Sequence, residues 1–278
     1  MSIKAAPVNT TPIDGRSRKL RETIVKAIKA GNRGHVGSSF SLVEMVRVLY
    51  DDVLRYDAKN PRWPDRDRFI LSKGHGCLAL YALLADKGFF PESELWKFCK
   101  ADGILGGHPE YGKVPGVEAS TGSLGHGLSI GVGMALNARF EKSGNRIFVI
   151  VSDGESNEGS VWEAALCAAK HQLSNLVVLV DYNKQQSYGT TYEVLDLDPL
   201  ADKWRAFGWA VEEVDGHDVT ELRAALHRTP FDSGRPSILI CHTIKGKGIG
   251  FVENNLSWHH KTRISDEEMQ ALMEALQA

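Results

Sequence analysis

Two apolar segments, about thirty residues apart, constrain the fold of this chain most strongly. Residues 147–151 (Ile-Phe-Val-Ile-Val) and 176–180 (Leu-Val-Val-Leu-Val) are short, continuous and bounded by turn residues, with a helical stretch between them. Such runs are typical of strands that are buried on both faces of a parallel sheet. The segment therefore predicts a β-α-β unit, and its length suits a right-handed crossover.

Oxygen-bearing side chains follow each of these two predicted strands. Asp153-Gly154 comes after the first strand, and Asn183 comes after the second. Because ligands of open parallel sheets gather at the carboxyl ends of the strands, both side chains are expected at one site. An ordinary Asp-Gly turn and an unrelated turn asparagine would explain either residue alone. Together they predict a magnesium site made of Asp153, Asn183 and the backbone carbonyl of Gln185, with Gly154 allowing close approach of a diphosphate.

Strands and helices alternate along the rest of the chain. Strands are predicted at 67–72, 147–151, 176–182, 209–214 and 237–243, and helices at 16–30, 42–54, 77–86, 125–135, 157–171, 218–229 and 265–277. This alternation predicts an α/β fold with a doubly wound, mostly parallel sheet and helices on both faces. We expect one domain over residues 1–278, with residues 1–14 as a loose N-terminal arm.

Local patterns predict details of these elements. Ser41-Leu-Val-Glu44, Asp218-Val-Thr-Glu221 and Ser265-Asp-Glu-Glu268 have the sequence of helix caps. The predicted helix from Gly125 is dense in glycine, which costs helix stability, so we expect a neighbouring helix to approach it closely. Residues 101–123 lack periodicity and are rich in Gly, Pro and His, which indicates a functional loop.

Composition excludes several classes of partner. A net charge of −2 and a pI near 6.6 argue against a nucleic-acid or membrane-surface partner. No apolar run approaches the roughly 20 residues of a membrane helix, and the first fifteen residues do not form an ordinary secretory signal. The four cysteines share no C-x-x-C spacing, so reduced thiols in a cytoplasmic protein are expected.

Four histidines lie in sequence segments that are typical of residues lining a binding cleft. His35, His75 and His108 are each next to glycine in predicted loops, and His259 follows Trp258. A single loop histidine is more often a surface residue, but this repeated setting favours a shared site. No short His-x-x-His or Glu-x-x-His pattern supports zinc. Imidazoles instead suit proton transfer to and from hydroxyl groups near neutral pH.

The order of these motifs resembles that of the transketolase family. The Asp-Gly pair followed about thirty residues later by Asn is similar to the thiamine-diphosphate binding motif. The other matching segments are Gly34-His35, Ser72-Lys73-Gly74-His75-Gly76, Gly107-His108-Pro109, Thr121-Gly122-Ser123-Leu124-Gly125, Lys245-Gly246-Lys247-Gly248 and Trp258-His259. The resemblance covers nearly the whole chain. It departs at Val36, where the family often has Pro, and at His126, where Gln is frequent.

The resemblance implies both the cofactors and the residues around them. Thiamine diphosphate and Mg²⁺ are implied, with Ca²⁺ or Mn²⁺ as other candidates for the metal. The residues implied to bind the cofactor are Ser38, His75, Gly122, Ser123, Leu124, Gly154, Glu155, Asn183, Lys245 and His259. The residues implied to be catalytic are His35, His75, His108, His259 and Glu158. Glu158 would belong to an acidic network between two cofactors, although an acid favoured by a helix N-terminus is the plainer interpretation.

The resemblance also implies a divided enzyme. Full-length transketolases carry a second domain, whose glutamate activates the cofactor, and this chain offers no second α/β unit after Trp258-His259. We therefore expect the N-terminal subunit of a split transketolase, which transfers a two-carbon ketol unit between sugar phosphates. A C-terminal partner would complete a heterotetramer of two plus two chains. Two alternatives stay open: a component of a deoxyxylulose-phosphate-synthase-like enzyme, and a catalytically silent cofactor-binding subunit.

Overall fold

Five parallel strands form the central sheet of the computed structural model, which describes residues 11–259, 261 and 263–277. The strands are β1 (Arg68–Leu71), β2 (Ile147–Ser152), β3 (Leu176–Tyr182), β4 (Ala210–Asp215) and β5 (Ser237–His242). Their order in the sheet is β1-β2-β3-β5-β4, and every pair is parallel. Ile147 of β2 is in register with Leu176 of β3, so the two carboxyl ends finish side by side.

Helices cover both faces of this sheet, which confirms the predicted α/β architecture. They are α1 (Gly15–Gly31), α2 (Val36–Phe40), α3 (Val43–Val48), α4 (Cys77–Asp86), α5 (His126–Phe140), α6 (Gly159–Lys170), α7 (Thr191–Val194), α8 (Leu200–Ala206), α9 (Val219–His227) and α10 (Asp266–Gln277). The apolar cluster on one face includes residues of α1, α3, α4, α9 and α10. The cluster on the other face includes residues of α5, α6 and α8.

Strand β2 shows why its sequence is apolar throughout. Phe148 and Ile150 belong to the first apolar cluster, whereas Ile147, Val149 and Val151 belong to the second. Successive side chains of a strand point to opposite faces of the sheet. Because both faces are covered by helices, neither set can be polar.

Most element boundaries agree with the predictions to within about two residues, the usual uncertainty of such limits. The helix predicted for 42–54 consists of α3 and a following π-helical turn, Leu49–Val53. Residues 101–123 contain no helix or strand, as predicted. The short helices α2, α7 and α8 were not predicted.

The predicted capping box at Ser41–Glu44 is wrong. The Ser41 hydroxyl donates to Asp181 Oδ2 at 2.7 Å, and α3 begins without a side-chain cap. The Glu44 carboxylate is buried and binds Arg21 and His217. Both residues have distant partners that a local pattern does not show.

The other two predicted helix starts carry side-chain caps. The Asp218 carboxylate accepts from the backbone N–H groups of Thr220 and Glu221. Ser265 and Glu268 form a reciprocal pair: the Ser265 hydroxyl accepts from Glu268 N, and the Glu268 carboxylate accepts from Ser265 N. These contacts satisfy backbone donors that a helix leaves without partners.

The expected neighbouring helix explains Gly125, where an added Cβ would lie 2.5 Å from Ser160 Oγ of α6, whereas Gly127 and Gly131 within α5 pack against the sheet. A Cβ atom on Gly127 would lie 2.3 Å from Ser72 Oγ, and one on Gly131 would lie 2.6 Å from Val149 Cγ2. Any larger residue would therefore push α5 away from β1 and β2. Gly133 points elsewhere, with no described atom within 4 Å of such a Cβ.

Residues 1–10 of the predicted N-terminal arm lie outside the described residues, but residues 11–14 are held against the domain. The Thr11 hydroxyl donates to Asp215 Oδ2 at 2.8 Å. The Asp14 carboxylate caps α1 by accepting from Ser17 N, and it pairs with Arg47 at 2.6 Å. This part of the arm is therefore not loose.

No helix in the described part of the chain is long and apolar enough to cross a membrane. All four cysteines are free thiols, as their spacing predicted.

Candidate active site

A small cavity of about 90 Å³ lies where β2 and β3 end. Its lining consists of Lys73, His75, Leu124, Ser152, Asp153, Gly154, Glu155, Asn183, Gln185, Gln186, Ser187, Lys245 and His259. The predicted metal ligands therefore lie together with several of the predicted cofactor-binding residues. The parallel register of β2 and β3 produces this arrangement, because it brings residues that follow both strands to one edge of the sheet.

Backbone amides hold the two main oxygen ligands in place. Asp153 is buried, and its carboxylate accepts from Gly154 N at 2.7 Å and from Lys184 N. Asn183 Oδ1 accepts from Gln185 N at 3.1 Å. Burial and the nearby Asp181 carboxylate raise the pKa of Asp153 to about 6. A carboxylate that is costly to ionise in the protein alone is suited to a bound cation, which would stabilise its charge.

The oxygens at this edge fit a magnesium diphosphate better than an all-protein metal cage. Within the described ranges, no group of three His, Cys, Asp or Glu side chains could hold a metal ion. The oxygen atoms available to a metal ion are instead those of the Asp153 carboxylate, the Asn183 amide and the Gln185 backbone carbonyl. Gln185 Oε1 is also buried and has no hydrogen-bond partner among the described residues. Magnesium sites commonly combine few protein oxygens with water and substrate phosphates.

A buried lysine lies beside these oxygens. Lys245 Nζ is 2.9 Å from His259 Nδ1 and 3.5 Å from the Gln185 carbonyl oxygen. Burial and the neighbouring Lys73 charge lower the pKa of Lys245 to about 8. An anionic group in the cavity would favour the charged form of Lys245, so the electrostatics of this site suit a bound phosphate.

A second buried lysine forms an ion pair that the sequence analysis missed. Lys73 donates to Asp181, whose carboxylate also accepts from the Thr243 and Ser41 hydroxyls and from Asn183 Nδ2 at 3.2 Å. Burial opposes ionisation, but Lys73 and the hydrogen bonds keep the pKa of Asp181 below its usual value. Asp181 thereby fixes which way the Asn183 amide points. A carboxylate at the end of an otherwise apolar strand was the available signal.

Two further predicted cofactor-binding residues differ in how their oxygens are used. The Glu155 carboxylate is buried, and it accepts from the Ser72 hydroxyl, Gly125 N and Ser152 N, so it joins β1, β2 and the start of α5. Burial raises its pKa. The Ser38 hydroxyl, in contrast, is buried without a hydrogen-bond partner among the described residues. Ser38 lines neither this cavity nor the adjoining one.

Three of the four predicted histidines line a second cavity, of about 260 Å³, that adjoins the first. It is formed by Arg33, Gly34, His35, His75, Cys77, Leu78, Phe98, Gly107 and His108, and His75 lines both cavities. The rings of His35 and His75 meet edge to face at 6.2 Å, and His35 Nδ1 is 3.3 Å from the His259 carbonyl oxygen. Burial and the nearby lysine charges hold the pKa of His75 well below its usual value. His75 is therefore a neutral imidazole near pH 7.

The loop that carries Gly122 supports one of these histidines. Gly122 has φ +144°, and a Cβ there would lie 2.9 Å from His108 Cδ2. Glycine is thus required for His108 to pack against this backbone. Ser123 and Glu158 are exposed and line neither cavity. Ser123 is the chain neighbour of Leu124, which lines the first cavity, and Glu158 lies against Gly125, where an added Cβ would be 2.8 Å from Glu158 Cβ.

Comparison with known proteins identifies the family of this chain. Residues 16–277 match the family described as transketolase, thiamine diphosphate binding domain. The chain belongs to the transketolase family. It is 42% identical over 258 residues to the 6-deoxy-6-sulfo-D-fructose transketolase subunit of Clostridium sp. strain MSTE9, covering 93% of this chain and 94% of that protein. It is 38% identical to one subunit of the apulose-4-phosphate transketolase of Phocaeicola vulgatus, covering 93% of this chain and 92% of that protein.

Solved transketolases share the fold over almost all of this chain. The transketolase of Leishmania mexicana matches with a TM-score of 0.86 at 30% identity, over 94% of this chain but only 40% of that one. Human transketolase is 39% identical over 246 residues, which are 88% of this chain and 39% of that protein. This transketolase family member thus corresponds to a minor part of the longer enzymes and to nearly the full length of the relatives that are named as subunits.

Proposed function

We propose that this chain is the diphosphate-binding subunit of a transketolase divided between two chains. The enzyme would transfer a two-carbon ketol unit from a ketose phosphate to an aldose acceptor. The observation that carries the proposal is the pair of adjoining cavities. The first contains the Asp153 and Asn183 oxygens and two buried lysines, the second contains His35 and His108, and His75 lines both. The relatives named as subunits support the division, because the matched regions cover 91–93% of this chain and 92–94% of theirs.

Residues that line the first cavity, together with Ser38, Gly122 and Ser123 outside its lining, would hold thiamine diphosphate through a metal ion. Asp153, Asn183 and Gln185 would bind Mg²⁺, or Ca²⁺ or Mn²⁺ in its place. The diphosphate would contact Gly154, Ser38 and Lys245, while Gly122, Ser123 and Leu124 would lie against the rings. When bound, thiamine diphosphate supplies the electron sink for breaking the ketose carbon–carbon bond. The protein supplies anchoring, orientation and proton transfer.

The histidines would act on the hydroxyl and carbonyl oxygens of the sugar. His75, as a neutral imidazole, can both accept and donate a hydrogen bond near pH 7. His35 and His108 line the same cavity, and His259 lies at the junction with the first one. Together they would orient the ketose and carry its protons, a contribution typically worth about 10²–10⁴-fold in rate.

We also infer a heterotetramer of two such chains and two partners that carry the pyrimidine-binding domain. The exposed Glu158 at the start of α6, together with the partly exposed Ile130 of α5, would lie at subunit contacts. Obligate interfaces of this kind commonly bury roughly 2,000–5,000 Å². The residues 1–278 would act as one diphosphate-binding domain. A cytoplasmic location is supported by the four free cysteines.

The decisive experiment reconstitutes the enzyme from both chains. The chain is produced alone and with the product of a neighbouring reading frame that encodes the complementary domain, and ketol transfer from a ketose phosphate is assayed with Mg²⁺ and thiamine diphosphate. We expect turnover only with the partner. Condensation of pyruvate instead would identify the synthase-like alternative, and cofactor binding without turnover would identify a silent subunit. Robust turnover by the lone chain would contradict the division into subunits.

A His108 variant adds a matched test in the same assay. His108→Ala should bind cofactor normally, because His108 lines only the second cavity, and should lose most of its turnover. Wild-type turnover in this variant would mean that His108 is an ordinary loop residue with no role in catalysis.

A further inference from the structure

We propose that a polar cavity at the amino ends of the strands, away from the candidate active site, binds a small hydroxylated phosphate ester. The cavity has a volume of about 350 Å³. Its lining includes Arg146 directly before β2, Asn175 directly before β3 and Ser233 before β5. The six residues of β2 place this edge of the sheet roughly 20 Å from the edge that holds Asp153. None of its lining residues lines either cavity of the candidate active site, so the inference does not rest on the proposed function.

Hydrogen bonds between separate segments hold the walls of this cavity in place. Asn145 Nδ2 donates to the Pro64 carbonyl at 2.8 Å, and Asn175 Nδ2 donates to the Ala135 carbonyl at 3.1 Å. Ile147 N donates to the Asn175 carbonyl at 2.8 Å. These contacts join α5 and the segments before β1, β2 and β3, so the cavity is formed before any ligand binds.

The charge around the cavity favours an anion. Among the described residues, its lining contains Arg139 and Arg146 but neither aspartate nor glutamate. Arg55 reaches the wall by donating to the Gly144 carbonyl at 2.5 Å. Burial opposes the charge of Asp67, but hydrogen bonds from Arg55 and Arg146 lower its pKa, so one ionised carboxylate serves both arginines. Three guanidinium groups and one carboxylate leave an excess of two positive charges.

Acids in the adjacent chain segments do not cancel this excess. Asp232, next to Ser233, pairs with Arg235 at 2.7 Å. Glu141 is exposed and is followed by the exposed Lys142. An anion that enters the cavity therefore meets cations without a competing carboxylate.

Both lining arginines keep donors that other protein groups do not use. Arg139 Nη1 donates to the His171 carbonyl, whereas its Nε and Nη2 have no acceptor within the described part of the chain. Arg146 uses Nε and Nη2 for Asp67, and its Nη1 likewise has no described acceptor. The Nε–Nη2 edge of an arginine matches two phosphate oxygens through parallel hydrogen bonds. Arg139 is therefore the residue that would bind the phosphate.

The uncharged part of the lining suits hydroxyl groups. Gln172, Ser174 and Ser233 line the cavity, and their side chains make no hydrogen bond within residues 11–259, 261 and 263–277. Each of them can both donate and accept. The described lining includes no aromatic side chain on which a nucleobase could stack. A volume near the lower end of the range for ligand pockets, roughly 300–1,000 Å³, also favours a small ligand.

The site is located by NMR titration of the isotope-labelled full chain. The probes are D-sorbitol 6-phosphate, inorganic phosphate and D-sorbitol. The backbone N–H signals of Gly144 and Ser174 report on this cavity, and those of Gly34 and Gly122 report on the candidate active site. The ester should shift the first pair with a lower Kd than phosphate, and sorbitol should bind most weakly. An absence of shifts at Gly144 and Ser174 would overturn the site. Phosphate that binds as tightly as the ester would overturn the role of the hydroxyls, and sorbitol that does so would overturn the role of the charge.

Two substitutions at one position test the charge without disturbing the fold. Ser233 is exposed, so Ser233→Glu and its neutral match Ser233→Gln should both fold. Ser233→Glu brings a carboxylate to the cavity and should raise the Kd of the ester more than tenfold, whereas Ser233→Gln should leave it close to the wild-type value. Equal affinity in these two variants would contradict the proposal.

A third variant tests the arginine itself. Arg139→Ala should weaken binding of the ester by about 10–100-fold, the usual loss for a hydrogen bond to a charged group. Arg62→Ala removes an exposed arginine outside the cavity and should change nothing. An unchanged Kd in Arg139→Ala, or an equal loss in Arg62→Ala, would mean that Arg139 does not hold the phosphate.

Discussion

Two clusters of buried charges differ in how completely their members neutralise one another. The closed cluster consists of Arg21, Glu44 and His217, and it joins α1, α3 and the segment between β4 and α9. Arg21 Nη1 donates to Glu44 Oε1 at 2.6 Å, and His217 Nδ1 lies 2.9 Å from Glu44 Oε2. Ile244 N donates to His217 Nε2, which leaves the proton of a neutral ring on Nδ1. Burial opposes the charge of Glu44, yet Arg21 and His217 hold its pKa well below the usual value.

The open cluster consists of Lys73, Asp153, Asp181 and Lys245 at the edge of the sheet. Lys73 and Asp181 pair with each other, but the pKa of Asp153 is raised to about 6 and that of Lys245 is lowered to about 8. Both shifts mean that burial disfavours the charged form more than the neighbours favour it. Equal burial thus has different consequences in the two clusters. The charges of the closed cluster neutralise one another within the fold, whereas the proposed magnesium diphosphate would complete the open cluster.

The largest expected effect comes from breaking the closed cluster. Glu44→Gln leaves Arg21 buried without its counter-ion, a change that typically costs about 3–5 kcal/mol of the free energy of unfolding. Urea unfolding without cofactor measures this loss. The double variant Arg21→Met/Glu44→Leu, which removes both charges, should recover most of it. A loss below about 1 kcal/mol for Glu44→Gln would mean that the pair contributes as little as a surface ion pair.

The matching change in the open cluster should affect binding and leave the fold intact. Asp153→Asn should weaken magnesium-dependent binding of thiamine diphosphate by more than about 100-fold, the upper end of the loss from removing an outer partner of a ligand. Its free energy of unfolding without cofactor should stay the same or rise, because a costly buried charge is gone. Calorimetry and urea unfolding measure the two quantities.

Asp215→Asn is the control for this variant, since Asp215 is also a buried carboxylate at a strand end but belongs to β4. Unchanged cofactor affinity in Asp153→Asn would refute the metal site, and an equal loss in Asp215→Asn would show that the effect is not local.

The sequence predicted one of these clusters far better than the other. Asp153 and Asn183 follow apolar strands, and the parallel pairing that such strands require brings them together. The closed cluster joins residues 23 and 173 positions apart in the chain, so no local pattern indicates it. Ser41 and Glu44 therefore matched the sequence pattern of a capping box, although Ser41 contacts Asp181 and Glu44 contacts Arg21.

Lys73 shows a further limit of prediction from sequence. It lies inside the Ser72–Gly76 motif, yet its role depends on the partner Asp181, which is 108 positions away. Similarly, the glycines of α5 indicated close packing, but only the structure shows that the sheet is their neighbour. A pattern can indicate that a residue is constrained without indicating which distant atoms constrain it.

A smaller effect is expected from Lys73, which would act on the proposed metal site through Asp181 and Asn183. Lys73→Met should lower the affinity for magnesium and thiamine diphosphate by about 10–100-fold, the usual range for an outer partner of a ligand. It should also destabilise the chain, because Asp181 loses its counter-ion. The double variant Lys73→Met/Asp181→Leu tests the cause: stability should recover while cofactor affinity does not. Recovery of both would show that Lys73 serves only to balance a charge.

The smallest effect is an opposite dependence of stability on pH in the two clusters. The folded-state pKa of Glu44 is lowered, so its stabilisation is present above its unfolded value of 4.5 and is lost as the pH falls below it. The folded-state pKa of Asp153 is raised from 3.8 to about 6, so its contribution is present at low pH and is lost as the pH rises through 6.

Of these two carboxyl groups, only Asp153 changes its contribution to the free energy of unfolding between pH 5 and pH 7. The free energy of unfolding of the cofactor-free chain should therefore fall, relative to that of Asp153→Asn, by about 1 kcal/mol over this interval. Urea unfolding of both proteins at the two pH values measures the difference, and Asp215→Asn again serves as the control. Saturating magnesium and thiamine diphosphate should abolish the dependence, because a bound cation keeps Asp153 ionised throughout. A constant difference between wild type and Asp153→Asn would mean that this carboxylate is already neutralised inside the protein, and the distinction between the open and the closed cluster would no longer hold.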